Sequence, residues 1–340
     1  MDASLPAGAL RRLDATAPSA APLAAASTHE LIAALRQRLG AVDRGAATGD
    51  LADQLGLLSM DLEVEFDTFA NRFSRRHAHE LFAMAGRYVQ TGQLDLRGAV
   101  VVELGCGSLN PLGALLVFLL AGARQAHGFD LDPPQDERAA TRALARLATY
   151  MLAEPSLLAP GLGLSHDDVA RQFAGFDLIR LWLGDPGGID AQRLQLHRRA
   201  AETTGLATAS VDLAYSVSFL EHVADPAATI AELARITRPG GCGVHAIDVS
   251  DHHAYGDAKH HPLDFLRQAP GPALVHGSNR LRLPQFVPLF EQHGFTVDEL
   301  EVHQRIDVDE TLHASFAAPF RALPRSDLEA LGGMLFVRRR

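Results

Sequence analysis

The spacing of apolar positions changes along the chain at about Gly98. Between residues 28 and 88 the apolar residues recur at helical spacing; Leu31, Leu35 and Leu39, for example, lie four residues apart ahead of a possible stop at Gly40. We therefore predict a helical cap or lid over residues 28–97, which covers a neighbouring site or mediates homodimerisation. Residues 1–27 are rich in Ala, Pro and Ser, with too little large apolar surface to offset their ordering entropy. We expect a disordered leader there.

After Gly98, short β-branched runs alternate with helical patterns. The run "GAVVVELGCG" is typical of a buried parallel strand that ends in a glycine turn, and the helical run "LGALLVFLLAGA" separates it from a second strand at "AHGFDLD". Further strands are predicted at "FDLIRLWLGD", "SVDLAYSVSFLEHV", "GVHAIDV", "FTVDELEVH" and "GGMLFVRRR". This alternation predicts a Rossmann-like, doubly wound α/β fold over residues 98–340, with a mostly parallel seven-stranded sheet and a helical insertion near residues 150–176.

Two of the predicted helices are well delimited. In "DPAATIAELARITRPGG", Asp225 is a good N-cap, Pro226 suits the first turn, and two glycines follow the apolar stripe. The segment "LPQFVPLFEQHG" predicts another helix, which precedes the last two strands.

Composition narrows the class of protein. The chain has 340 residues, of which 47% are hydrophobic, enough for one main domain with appended segments. Its net charge of −10 disfavours a nucleic acid partner. The two cysteines are too few for a disulfide framework or a structural zinc site. The longest apolar run, residues 112–123, is too short to span a bilayer, and Pro6, Asp14 and Pro18 interrupt any signal peptide. We expect a soluble, cytoplasmic protein without a membrane partner.

The glycine turn after the first strand indicates a ligand site. In an open parallel sheet, ligands bind beyond the carboxyl ends of the strands, and Gly105 and Gly107 allow the backbone to approach a ligand closely. A dinucleotide fingerprint requires a third glycine where Asn110 stands, so nicotinamide cofactors are disfavoured. The phosphate-binding pattern G-x-x-x-x-G-K-[ST] is absent from the sequence as well.

These motifs resemble, in order, those of the class I S-adenosylmethionine-dependent methyltransferases, from about Gly98 to Phe295. "VVVELGCG" and "GFDLD" resemble the first two motifs, "WLGD" the third, and "VDLAYSVSFLEHVADP" and "LARITRPGG" the fourth and fifth. The resemblance implies S-adenosylmethionine as cofactor, with Asp130 on its ribose hydroxyls and Asp185 near its adenine. Leu109 departs from the pattern, because many members have a third glycine there. The implied cofactor-binding residues are Glu103, Gly105, Gly107, Asp130, Leu131, Asp185 and Ser218.

The residue types agree with methyl transfer. A carboxylate such as Asp130 suits a diol, because it accepts two charge-assisted hydrogen bonds. The transfer is an in-line displacement, so much of the acceleration comes from positioning, and a base is needed only if the acceptor must lose a proton. His222 is the first candidate base for a hydroxyl acceptor, and Glu221 is the alternative for a carbon acceptor. The same pair is also compatible with a purely structural role at the end of a strand.

A histidine-rich segment, "GVHAIDVSDHHAYGDAKHH", follows the fourth predicted strand-and-helix unit. It is compatible with a metal site, a solvated polar loop or a wall of the acceptor pocket. Adjacent histidines generally cannot both turn toward one ion, so we predict no metal ligands here. Because the segment leaves the carboxyl end of a strand, we expect Asp248 and His252 to be catalytic candidates and Asp251 to contact the acceptor. We expect Arg280 and Arg282 in "NRLR" either to contact a phosphate or carboxylate of an anionic substrate or to pair with nearby acids.

The sequence thus predicts an S-adenosylmethionine-dependent enzyme acting on a small molecule. The segment from "IDVSDHH" to "FEQHGF" resembles a methyltransferase subgroup linked to sugar and natural-product substrates, which implies O-methylation in natural-product biosynthesis. The alternatives are C- or N-methylation of a small metabolite, or a non-catalytic partner protein that binds the cofactor. A protein or nucleic-acid methyltransferase is a further, less favoured hypothesis.

Overall fold

The structure is a computed structural model, which describes residues 75–255, 259–269, 271 and 273–340. The predicted leader, residues 1–27, and the predicted cap up to residue 74 lie outside the described residues.

The described chain is built on one seven-stranded sheet in the order β3-β2-β1-β4-β5-β7-β6. Strands β1 to β5 are parallel, while β7 runs antiparallel between β5 and β6. This confirms the predicted Rossmann-like, mostly parallel sheet. The strands are β1 (Val100–Leu104), β2 (Gln125–Asp130), β3 (Leu194–Arg198), β4 (Val211–Val217), β5 (Thr237–Asp248), β6 (Phe295–Arg305) and β7 (Ala330–Arg339).

Helices pack against both faces of this sheet. They are α1 (Arg75–Ala85), α2 (Arg87–Gln90), α3 (Gly113–Leu120), α4 (Glu137–Ala153), α5 (His166–Phe173), α6 (Leu178–Leu183), α7 (Pro226–Ile236), α8 (Leu283–Gln292), α9 (Glu310–Ser315), α10 (Ala318–Arg321) and α11 (Arg325–Glu329). Helix α3 contains only glycine, alanine and large apolar residues, and it is buried along its whole length. Phe82 of α1 packs on Phe118 of α3 with ring centroids 4.7 Å apart, so the described end of the predicted cap contributes to the core.

The predicted caps of α7 are present. The side chain of Asp225 accepts a hydrogen bond from the Ala228 N–H, and Pro226 occupies the first turn. The helix ends at Ile236, and β5 begins at once, so the two glycines of "RPGG" belong to the start of a strand that is longer than predicted. Among the described residues, no helix combines the length and the apolar character needed to cross a membrane.

The predicted strand at "FDLIRLWLGD" is wrong, because this segment contains helix α6. Asp177 caps the helix by accepting from the Arg180 N–H, and Gly184 ends it in a left-handed conformation at φ 77°. A short apolar run does not distinguish a strand from a buried helix. The third strand of the sheet is β3, whose sequence "LQLHR" was not predicted, and the helical insertion therefore extends beyond residue 176.

The parallel register brings the carboxyl ends of the central strands together. Leu104 of β1 lies beside Ser216 of β4, and Val217 lies beside Ala246 of β5. The segments that follow β1, β4 and β5 consequently meet at one edge of the sheet, where the predicted site residues are concentrated.

Candidate active site

The glycine turn after β1 requires its glycines. Gly105 and Gly107 have φ values of 68° and 73°, in the left-handed region that side chains rarely adopt. A Cβ atom on Gly105 would lie 2.2 Å from Cδ2 of Phe219, which follows β4. The turn therefore lies directly against the segment that leaves β4.

Asp130, at the end of β2, is bound to the same turn. Its Oδ2 accepts a hydrogen bond from the Gly107 N–H at 2.8 Å, and its Oδ1 accepts from the Asp132 N–H at 3.0 Å. Each carboxylate oxygen retains a second lone pair for a ligand hydroxyl. The next residue, Leu131, leaves 67% of its surface exposed and offers an apolar contact beside the carboxylate.

Glu103 lies at the base of the turn and is buried. Its Oε2 accepts a hydrogen bond from the hydroxyl of Tyr215, 2.8 Å away on the neighbouring strand. Burial, followed by the proximity of Glu103, raises the pKa of Tyr215 well above its ordinary value, so the phenol remains a donor. Sequence reasoning missed Tyr215, because only the strand register shows that it lies opposite Glu103.

These groups fit S-adenosylmethionine. The turn has a glycine where a side chain would collide with Phe219, Asp130 can accept from a diol, and Leu131 supplies an exposed apolar surface. Ser218, also predicted to contact the cofactor, is exposed at φ 45°, but its N–H donates to the Ala246 carbonyl at 2.9 Å. The N–H is therefore not available to the cofactor, and the hydroxyl is the candidate contact.

Asp185 does not lie at the end of a strand, where the sequence predicted it. It follows α6, where its carboxylate accepts from Arg180 Nε and from the Gly187 N–H, both at 2.8 Å. The adjacent Pro186 and Asn110 of the glycine turn line one cavity of about 510 Å³. Asp185 thus lies near this edge of the sheet, although its carboxylate already has two donors.

Glu221 is the buried acid beyond β4, with 1% of its surface exposed. Its Oε1 accepts a hydrogen bond from the Asp248 N–H at 3.0 Å, while its Oε2 has no hydrogen-bond partner among the described residues. Burial raises the pKa of this carboxyl to about 8.

His222 and His252 bring their rings together next to Glu221, with centroids 4.8 Å apart. Nδ1 of His222 lies 2.8 Å from the carbonyl oxygen of Gly277. Because a carbonyl only accepts, Nδ1 carries the hydrogen and Nε2 of the neutral ring has the lone pair. Gly277 was not identified from the sequence, which gives no signal for a backbone contact of this kind.

Asp248 lies beside this pair at the end of β5. Its Oδ2 is 3.7 Å from Nε2 of His252 and accepts from the hydroxyl of Tyr255, and its Oδ1 accepts from the hydroxyl of Ser250 at 2.6 Å. Burial lowers the pKa of His252, so its ring favours the neutral form. The structure therefore brings together four predicted catalytic candidates: Glu221, His222, Asp248 and His252.

The prediction that Asp251 contacts the acceptor does not agree with the structure. Asp251 is fully buried, and its carboxylate is bonded to Nδ1 of His276 at 2.9 Å and to the His253 N–H at 3.1 Å. It fastens the loop after β5 to the segment around residue 276.

The substrate role predicted for Arg280 is also corrected. Its buried guanidinium donates to the carbonyl oxygens of Phe265, Gln268 and Ala269. Arg282 is fully buried, donates to the carbonyls of Val249 and Ala330, and has a pKa lowered by burial to about 9. Both guanidinium groups fix backbone segments, and their partners are carbonyl oxygens where the sequence suggested acids or an anionic substrate.

The model of one known protein family matches part of the chain. Residues 159–244 match the model of a methyltransferase domain, which is less than half of the chain but includes β3, β4 and the "LEHVADP" segment. No curated protein matches the chain.

Several solved structures are similar to this chain at low identity. An S-adenosylmethionine-dependent methyltransferase from Mesorhizobium loti has 17% identity and a TM-score of 0.39, over 76% of this chain and 100% of that one. One from Methanosarcina mazei has 16% identity and a TM-score of 0.39, over 74% and 96%. An arsenic(III) S-adenosylmethionine methyltransferase from Chlamydomonas reinhardtii has 18% identity and a TM-score of 0.38, over 72% and 64%. All three TM-scores are below 0.5, so no activity is inferred from these likenesses.

The family match and the sheet topology agree with the glycine turn and its neighbouring carboxylates. Together they indicate a class I S-adenosylmethionine-dependent methyltransferase, an enzyme whose cofactor is S-adenosylmethionine.

Proposed function

We propose that this enzyme transfers a methyl group to a hydroxyl oxygen of a small molecule, of the natural-product or sugar-like type. The observation that carries the proposal is the cluster of Glu221, His222 and His252, which offers one ligand or hydrogen-bonding atom each within 4.8 Å of the others. The cluster begins two residues after Phe219, which packs on the glycine turn. Groups that recognise a hydroxyl are thus close to the proposed cofactor site.

On the cofactor side, we propose that Asp130 accepts hydrogen bonds from the ribose hydroxyls and that Leu131 packs on the adenine. Glu103 holds the methionine end through the turn that it supports, and Ser218 contributes its hydroxyl. S-adenosylmethionine supplies an electrophilic methyl group when bound. The acidic residues around the turn are compatible with the positive sulfonium, since opposite charges attract.

On the acceptor side, His222 is proposed to receive the hydroxyl proton. Its Nδ1–H is held by the Gly277 carbonyl, which fixes the ring and leaves Nε2 to accept from the hydroxyl. Asp248 accepts from Ser250 and Tyr255 and lies within 3.7 Å of His252, so it positions the second ring of the cluster. The remaining acceleration comes from holding the oxygen in line with the methyl group.

The test is a turnover assay of the full chain with S-adenosylmethionine and a panel of small molecules with hydroxyl, amine or acidic carbon positions. We expect S-adenosylhomocysteine to form with hydroxylated acceptors, and mass spectrometry with NMR to place the new methyl group on oxygen. Methylation only on nitrogen or carbon would contradict the proposal, as would cofactor binding without turnover of any acceptor.

A pair of variants localises the acceptor site. His222→Asn removes the Nε2 lone pair, and we expect kcat to fall about 100-fold, within the range for loss of a general base. The control is His253→Asn, which changes an exposed histidine in the loop after β5. Equal activity of the two variants would sink the role of His222.

A further inference from the structure

The cluster of Glu221, His222 and His252 has the composition of a metal centre. We propose that these three side chains bind one divalent transition-metal cation. The site is distinct from the metal site considered for the histidine-rich segment alone, because only His252 belongs to that segment and the other two ligands follow β4.

Two atoms of the cluster are buried without a hydrogen-bond partner in the part of the chain that the structure describes. These are Oε2 of Glu221 and Nε2 of His252. A buried polar atom without a partner is costly, at about 1–3 kcal/mol, so native structures rarely leave such atoms unsatisfied. A cation between them would satisfy both at once.

The ligands are also oriented from behind, as is usual for metal ligands. The second oxygen of Glu221 accepts from the Asp248 N–H at 3.0 Å, and Nδ1 of His222 is held by the Gly277 carbonyl at 2.8 Å. The His252 ring stacks on Tyr255 with centroids 5.1 Å apart.

The separations are compatible with a cation after a small adjustment. The three ligand atoms lie within 4.8 Å of one another. In a tetrahedral site with bonds of about 2.1 Å, ligand atoms are about 3.4 Å apart. Any two ligand atoms therefore need to approach by at most about 1.4 Å, which a small adjustment of the partly exposed imidazoles allows.

The donor set selects the kind of cation. Two imidazole nitrogens and one carboxylate suit Zn²⁺, Fe²⁺, Co²⁺ or Ni²⁺, whereas Mg²⁺ prefers oxygen ligands alone. Three protein ligands leave at least one coordination position open, as in catalytic zinc sites.

The consequence for the acceptor rests on the proposed function. In the metal-loaded protein, His222 is a ligand and the acceptor oxygen fills the open position. The O–H bond would then break with its proton released to solvent, and the oxygen lone pair would form the new bond to the methyl carbon. The methyl–sulfur bond would break at the same time, and its electron pair would leave on the sulfur of S-adenosylhomocysteine. This favours acceptors whose hydroxyl binds a metal well, such as those with two neighbouring oxygen atoms.

A second group, Asp251, His253 and His276, also has ligand atoms within 4.8 Å of one another, but it is already satisfied. Both oxygens of Asp251 accept from Nδ1 of His276, and the His253 ring is stacked on the His276 ring at 3.8 Å. This group provides the matched control.

The experiment titrates Co²⁺ into the chelator-treated full chain without a histidine tag, with equilibrium dialysis and the visible absorption of Co²⁺ as readouts. We expect one Co²⁺ per chain, and at least tenfold weaker binding in Glu221→Gln and in His252→Asn. His253→Asn should bind as the unmodified protein does, and Mg²⁺ should not compete. Circular dichroism confirms that each variant is folded.

Binding that is absent, or that is lost in His253→Asn but kept in His252→Asn, would overturn the cation site. The proposed function fails separately: if the metal-free protein still methylates a hydroxyl while no Co²⁺ binds, the cation site is wrong and the proposed function stands. If Co²⁺ binds as expected but no hydroxyl is methylated, the cation site stands and the proposed function is wrong.

Discussion

At the scale of single residues, the sequence indicates the candidate residues on the cofactor side, but it does not indicate the contacts that each of them makes. Glu103, Gly105 and Asp130 stand in a short ordered motif whose positions follow from the strand and turn. Phe219, which packs on Gly105, and Tyr215, which binds Glu103, lie more than a hundred residues away. Such contacts depend on strand register, which the sequence pattern does not specify by itself.

Gly105→Ala tests the packing of the glycine turn. The new Cβ would lie 2.2 Å from the Phe219 ring and 2.9 Å from its Cβ, so the ring and its backbone must move. We expect a loss of about 2–4 kcal/mol in the free energy of unfolding, from overpacking added to the left-handed φ. Denaturant titration measures it.

The control for this variant is Gly92→Ala. Gly92 also has a left-handed φ, 72°, but a Cβ there meets nothing within 4 Å, so its cost is that of the backbone alone, about 1 kcal/mol. If the two variants lose equal stability, the contact between Phe219 and the turn is not significant.

At the scale of elements, the alternation of strands and helices was predictable except where an apolar run was short. The sequence pattern predicts a strand where helix α6 lies, because six residues fit either period, and the true edge strand β3 contains three polar residues that weaken its pattern. The roles of Arg280 and Arg282 were not predictable either, because their carbonyl partners come from distant segments.

Strand β5 carries a buried histidine with a consequence for acid stability. His245 is 1% exposed, with Nδ1 2.9 Å from the Ser216 hydroxyl and its ring packed on Phe290, and burial lowers its pKa from 6.5 to about 3. Below pH 6.5 the unfolded chain binds a proton that the folded chain does not. This part of the stability is therefore complete above pH 6.5 and is lost as the pH falls toward 3.

His245→Asn should reduce the pH dependence of stability in this range by about 1.4 kcal/mol per pH unit, which corresponds to one proton. The measurement is denaturant unfolding at several pH values between 6.5 and 4. His166→Asn, at an exposed histidine, should leave the slope unchanged. An unchanged slope in His245→Asn would contradict the prediction, because it would show that His245 binds its proton equally well in the folded and the unfolded chain.

At the scale of the whole molecule, the fold places the segments that follow β1, β2, β4 and β5 at one edge of the sheet. Residues from separate motifs can therefore contribute to one site. The seven-stranded arrangement was predictable from the order of the motifs. The proposed acceptor site was not, because its polar groups come from two loops, and Asp251 in one of them is internal.

The most direct test of the account is calorimetric titration of the full chain with S-adenosylmethionine, comparing Asp130→Asn with Asp132→Asn. Asp130 accepts from the glycine turn, whereas Asp132, two residues away, contributes only a backbone N–H to this contact. Loss of a charge-assisted acceptor should weaken cofactor binding at least about tenfold in Asp130→Asn. The account predicts one site per chain, this loss, and unchanged binding in Asp132→Asn; absence of binding, or equal affinity in both variants, would contradict it.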